Sequence, residues 1–200
     1  MAFESGYGSL SGFVDSFRKT AAFSPGTSYN HQLIQTRRIV TPLGPMLAGA
    51  NQDGICLLEF MDVELAEARI KGLSRYLDAR LMPGTSSYLD LLNDQLDEYF
   101  SGNRRNFNIP LVLSGTPFQR RVWAALQDIA YGSTCSCRQQ AESIGALSAV
   151  SSVARANDAN RIAILVPSHR VVGRNGGASR NAAGSWRKRF LLKLESGNIA

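Results

Sequence analysis

The chain has 200 residues, 44% apolar and 19% charged, with 22 lysines and arginines against 16 acids for a formal net charge of +6. That length suits one large domain or two small ones with a proper core, and no apolar run approaches the ~20 residues of a membrane-spanning helix. Glu4 and Asp15 leave the opening residues without the basic-then-apolar order of a secretory leader, and three cysteines, with Cys135 and Cys137 one residue apart, give neither a disulfide framework nor zinc spacing.

In chain order, Ser9 can cap a helix whose apolar face is Leu10, Phe13, Val14 and Phe17, and Pro25 stops it. Residues 27–32 read as a linker. Three strands follow, Leu33 to Val40, Met46 to Ala50 and Ile55 to Phe60, with turn residues at 42–45 and 51–54. Asp62 can cap a helix carrying Val63, Leu65, Ala66 and Ile70, and a second helix runs from about Ser87 to Phe100 and closes at Gly102. Up to residue 110 this is a small α/β unit without evident chemistry.

From Thr116 the pattern turns helical. Phe118, Val122, Trp123, Leu126 and Ile129 form one stripe that ends at Tyr131-Gly132. Ser136 begins a helix through about Ser143, Gly145 supplies a turn, and Ser148 begins another through about Asn157. Two short helices across a glycine turn fit a helix-turn-helix that enters a DNA groove; they fit a plain helical hairpin equally well by periodicity. A strand is expected over Ile162 to Val166, ending at Pro167. Beyond it stand Arg170, Arg174, Arg180, Arg187, Lys188, Arg189 and Lys193 against Glu195 alone. Such a cluster marks either a polyanion partner or a solvated basic face.

The stretch Val166-Pro167-Ser168-His169-Arg170-Val171-Val172 resembles the Pro-Cys-His-Arg-Val motif of the O6-alkylguanine-DNA alkyltransferases, the Ada-like family whose cysteine takes an alkyl group from guanine O6 and keeps it. Phe118, Trp123, Gly132, Gly145 and Asn160 stand at matching spacing. The resemblance implies an α/β N-terminal subdomain, RNase H-like, at 33–110, followed by a mainly helical DNA-binding subdomain with helix-turn-helix at 111–200. It implies that Asn160 braces the active-site turn, that His169 draws the acceptor's proton through water, that Glu195 orients that histidine, and that Arg170 is the motif's arginine. The inserted helix carries Ser148, Ser151, Ser152 and Arg155, which with Arg170 are the expected DNA contacts. The departures fall on the chemistry: Ser168 at the acceptor position, Ser151 at the arginine finger, and Cys137 and Asn181 at two base-pocket tyrosines. Four changes together favour natural loss of transfer over an engineered trap.

A second resemblance lies at Phe3 to Gly26, where a Gly-Tyr turn precedes Ser-Leu-Ser-x-Phe and Ser-Pro, as at the end of an AraC-type helix-turn-helix region. It implies that residues 1–26 are the remnant of an upstream domain in a longer regulator. The expected function is therefore DNA binding linked to alkylation response or transcription, with alkyl transfer lost or vestigial. A lesion-binding sensor, and a residual methyltransferase using Cys137, stay open beside it. A serine hydrolase built on Ser168, His169 and Glu195 is disfavoured, since adjacent Ser and His on a tight turn seldom face each other and no Gly-x-Ser-x-Gly elbow is present. The expected partner is double-stranded DNA, unmodified or alkylated at guanine. The expectations are completed by a monomer in the bacterial cytoplasm, with no cofactor, metal or membrane.

Overall fold

A computed structural model describes residues 32–61, 74, 76–173 and 182–197. The AraC-like segment, the helix expected from Asp62, and Asn181 lie outside the described residues. Two compact units divide the chain.

The first unit comprises residues up to Asn93 with Ile109–Val112. Its strands are β1 (Gln32–Thr41), β2 (Gly44–Asn51), β3 (Gly54–Phe60) and β4 (Ala79–Pro83), in the order β3-β2-β1-β4. Short turns make β1, β2 and β3 antiparallel neighbours, whereas β4 runs parallel to β1. Along β1 the residues Ile34, Thr36, Ile39 and Thr41 are buried, and nearly every residue of β2 and β3 is buried, so these strands are covered on both faces; Ile34, Leu47, Cys56, Leu57, Ala79 and Leu81 form a core cluster. Gly54 has φ +147°, and a Cβ there would lie 2.3 Å from the Pro110 carbonyl oxygen. That close approach lets Ile109–Val112 return alongside β3 through Ile55 N–H to Pro110 O (2.9 Å) and Val112 N–H to Ile55 O (2.8 Å). Strand β4 has no local signal in the sequence: five residues ending in proline pair with residues of β1 that stand 47 positions earlier.

The helix α1 (Ser87–Phe100) begins in the first unit and passes into the second, which holds Asp94–Asn108 and everything from Leu113. There follow α2 (Pro117–Gln127), β5 (Cys135–Ser136), α3 (Cys137–Ser143), α4 (Val150–Asp158), β6 (Val171–Val172) and α5 (Ala182–Glu195). Capping boxes set two helix starts. Thr116 and Gln119 exchange bonds at α2, with Pro117 at its first position, and Ser136 and Gln139 do so at α3. Both satisfy N–H groups that a helix leaves unpaired. No side chain caps α4: a 3-10 turn over Leu147–Ala149 leads into it, so Ser148 lies in the turn before the helix rather than at its cap.

Candidate functional site

The stretch Ile162 to Val166 is not the expected strand. It is a run of turns with Ile162 in an isolated bridge, and Ile164 sits at φ +72°. A buried β-branched residue in the left-handed region costs on the order of 1–3 kcal/mol and persists only where neighbours over-determine it. Asn160 supplies much of that constraint. Its Oδ1 accepts from Ile162 N–H (3.0 Å) and its Nδ2 donates to the Val166 carbonyl (2.8 Å). The same carbonyl accepts the Ser168 N–H at 2.8 Å. The turn is thus tied at both ends, and Ser168 opens a 3-10 turn over Ser168–Arg170, half-buried, with His169 and Arg170 buried behind it.

Behind that turn, the carboxylate of Glu195 gathers five donated hydrogen bonds. Oε1 accepts from Tyr99 Oη (2.7 Å), His169 Nε2 (2.8 Å) and Arg170 Nη2 (3.0 Å); Oε2 accepts from Arg170 Nε (2.8 Å) and Gly132 N–H (3.2 Å). Burial would raise the Glu195 carboxyl, but the hydrogen bonds from His169 and Arg170 outweigh it and bring it down to about 2. Burial lowers the His169 imidazole from its usual range, against the pull of Glu195. His169 is therefore the neutral member of this group, beside the Arg170 guanidinium. Since an ionised carboxylate only accepts, His169 carries its proton on Nε2 and keeps a lone pair on Nδ1. A buried neutral imidazole with a held tautomer is what a general base needs.

Gly132 cannot be another residue here. Its φ is +75°, and a Cβ would stand 2.9 Å from the Glu195 carbonyl oxygen. Beside it, the Tyr131 ring lies near two guanidinium groups, Arg105 at 5.7 Å and Arg170 at 5.8 Å.

The helix-turn-helix is formed by α3, the turn at Gly145 (φ +65°) and α4. Its two helices are locked by a buried amide pair: Asn157 Nδ2 donates to Gln140 Oε1 (2.7 Å), and Gln140 Nε2 donates to Asn157 Oδ1 (3.3 Å) and the Val122 carbonyl (3.1 Å). Trp123 Nε1 donates to the Ala156 carbonyl at 2.7 Å, fixing α2 against α4. On the outer side of α4, Ser151 and Arg155 are exposed, as is Ser148 before it, and Ser152 is half-buried. Arg155 Nη2 rests on Ser152 Oγ at 3.2 Å.

One expected DNA contact is corrected. Arg170 is buried, and its guanidinium is occupied by Glu195 and by the Ile129 carbonyl (2.6 Å); it braces the site from within. Cys137, half-buried at the start of α3, has its thiol pushed up by burial, with Lys188 pulling the other way. Lys188 Nζ donates to the Val171 carbonyl at 2.5 Å, and Val171 pairs with Cys135. Asn160, Ser168, His169, Arg170 and Glu195 are thus brought together, and Ser148, Ser151, Ser152 and Arg155 lie along a separate helical face. Sequence reasoning misses Tyr99, Lys188 and the Gln140–Asn157 pair, since each acts through a partner distant along the chain. Among the described residues there is no group of three or more metal-ligating side chains and no helix long and apolar enough to cross a membrane.

A small sheet domain followed by a helical domain with this buried His–Glu–Arg group defines a class. Residues 37–113 match the ribonuclease-like domain, and residues 117–197 the DNA binding domain, of 6-O-methylguanine DNA methyltransferase. The chain belongs to this family. It is 37% identical to the methylated-DNA--protein-cysteine methyltransferase of Methanosarcina barkeri, covering 80% of this chain and 96% of that one, and 35% identical to the constitutive enzyme of that name from Bacillus subtilis, covering 78% and 91%. Among solved structures it is similar to the O6-methylguanine methyltransferase of Mycobacterium tuberculosis, with a TM-score of 0.71 at 35% identity over 84% of this chain and 95% of that one. The OGT of the same organism in complex with DNA gives a TM-score of 0.69 at 35% identity over 84% and 94%.

Proposed function

We propose that this chain binds duplex DNA through α3 and α4 and does not take up an alkyl group at its active-site turn. Ser168 carries the reading. The relatives' name places the methyl group on a protein cysteine, and here the side chain that the Pro-x-His-Arg turn presents first is a hydroxyl. A thiol with pKa near ~8.5 yields a thiolate beside a neutral imidazole base, whereas an alcohol does not, and the thiolate is the nucleophile. Ser151 on α4 supports the same conclusion. A nucleotide flipped out of the stack costs a few kcal/mol, and a serine is too short to fill the space it leaves. The chain would then act in alkylation response or transcription as a DNA reader. The exposed face of α4, with Ser148, Ser151, Ser152 and Arg155, is its contact surface, and the family resemblance assigns Cys137 and Asn181 to what remains of the base pocket.

Intact-mass spectrometry after incubation with an O6-methylguanine duplex tests the chemistry. The protein should gain no methyl group, and a methyl on any residue, Cys137 included, refutes the proposal. Anisotropy titration of that duplex against its unmodified twin at fixed salt tests the reading. Equal binding is expected of a protein that reads the backbone. A tenfold preference for the lesion, about 1.4 kcal/mol, would establish a lesion sensor instead.

A further inference from the structure

The outer face of α5 carries a pattern that neither the turn nor the helix-turn-helix uses. Trp186, Arg189 and Lys193 recur at the spacing of one helical face, and all three are exposed, with Trp186 at 43%. The opposite face is committed inward: Leu191 and Glu195 are buried, and Lys188 binds the Val171 carbonyl. The one acid of α5 is Glu195, which is paired with His169 and Arg170, so nothing on the helix offsets the outer cations. The Arg187 guanidinium lies 5.3 Å from the Trp186 ring centroid, covering one face of the indole.

An exposed indole between cations is poorly matched to a rigid duplex, whose bases are already stacked and whose outer surface is phosphate. It is well matched to an unpaired base, which stacks on the ring while the flanking cations hold the neighbouring phosphates. We propose that the Trp186–Arg189–Lys193 face of α5 is a second nucleic-acid surface that takes single-stranded DNA. Recognition is by stacking and backbone charge, without base sequence. It uses none of the residues of the duplex-reading helix, so it stands or falls separately from the function proposed above.

The chain contains two tryptophans, and Trp123 is buried at 2% exposure, so quenching of the solvent-exposed indole signal reports on Trp186. The full chain is titrated with an oligothymidylate and with a duplex of equal charge at low salt. The single strand should quench this signal and the duplex should not. Trp186→Ala should weaken oligothymidylate anisotropy binding by about fivefold or more, in the range of one stacked base. Arg189→Gln with Lys193→Gln should lower the salt slope by roughly 0.7 per lost phosphate contact. Arg155→Ala should leave the quench intact. Equal quenching by duplex, no quenching, or unchanged affinity in Trp186→Ala would each overturn the proposal. All these residues are exposed, and circular dichroism verifies that the variants fold.

Discussion

Tyr99 donates its phenol to Glu195 at 2.7 Å across 96 positions of sequence, and the ring is fully buried, packed edge-on against Phe100 and Tyr131. The bond shares the Glu195 oxygen that holds His169 Nε2. It therefore limits where that oxygen can move and, through it, how the imidazole is turned. Hydrogen bonds to charged groups contribute about 1.5–3 kcal/mol. Tyr99→Phe keeps the packing and removes only the hydroxyl, so urea denaturation should show a loss in that range. A loss below about 0.5 kcal/mol would mean that the remaining hydrogen bonds hold Glu195 unaided.

Stability should depend on pH through His169. Folded, it is neutral and its pKa is depressed by burial; unfolded, it binds a proton below about 6.5. The unfolded state thus takes up more protons as pH falls below that point, and stability declines from about pH 6.5 downward. Glu195 acts lower. Its contribution is complete above the ordinary carboxylate range and is lost as pH falls toward about 2. Urea midpoints at about pH 7.5 and about pH 5.5 should differ in the wild type and converge in His169→Gln. An unchanged pH difference in the variant would show that the slope does not come from His169.

Gly132→Ala combines two penalties. The left-handed backbone costs an L-residue roughly 1–2 kcal/mol, and the new methyl meets a backbone oxygen at 2.9 Å rather than a side chain that could rotate away. A loss above about 2 kcal/mol is expected, and NMR titration should show the His169 pKa moving as Glu195 is displaced. An alanine variant as stable as wild type would contradict the turn geometry at this position.

The amide pair Gln140–Asn157 fixes the angle of α4 against α3. Asn157→Ala leaves a buried Gln140 acceptor unmatched, which costs about 1–3 kcal/mol. A double-mutant cycle with Gln140→Ala should return a coupling of at least about 0.5 kcal/mol, and duplex binding should weaken alongside stability. Independent losses in the two single variants would mean that the helices are set by apolar packing alone.

Salt dependence separates the roles of the two arginines expected at the DNA. Arg155→Ala should weaken duplex binding and flatten the dependence of log K on log salt by roughly 0.9. Arg170→Ala should instead destabilise the fold by about 3–5 kcal/mol, because it strands a buried carboxylate. Unchanged duplex affinity in Arg155→Ala at low salt would remove that residue from the interface.

Strands β1 to β3, helices α1 to α3 and most of α4 are legible in the sequence because each is announced locally, by alternation between turn residues, by a helical stripe, or by a helix-starting serine such as Ser136. The motif residues Asn160, Ser168, His169 and Glu195 are legible through family resemblance, and the geometry brings them together. Strand β4 and the strained turn at Ile164 are not, since parallel pairing and a positive φ are imposed by distant partners. Arg170 shows the limit most directly. Its charge suggests DNA, but whether an arginine meets phosphate or a buried carboxylate depends on what the fold packs around it. Sequence by itself determined which chemical groups this protein owns, above all a hydroxyl at 168. Tertiary structure alone decided their protonation and their partners, because burial and the convergence of Tyr99, Gly132, His169 and Arg170 on one carboxylate arise only when segments up to 96 residues apart are brought together.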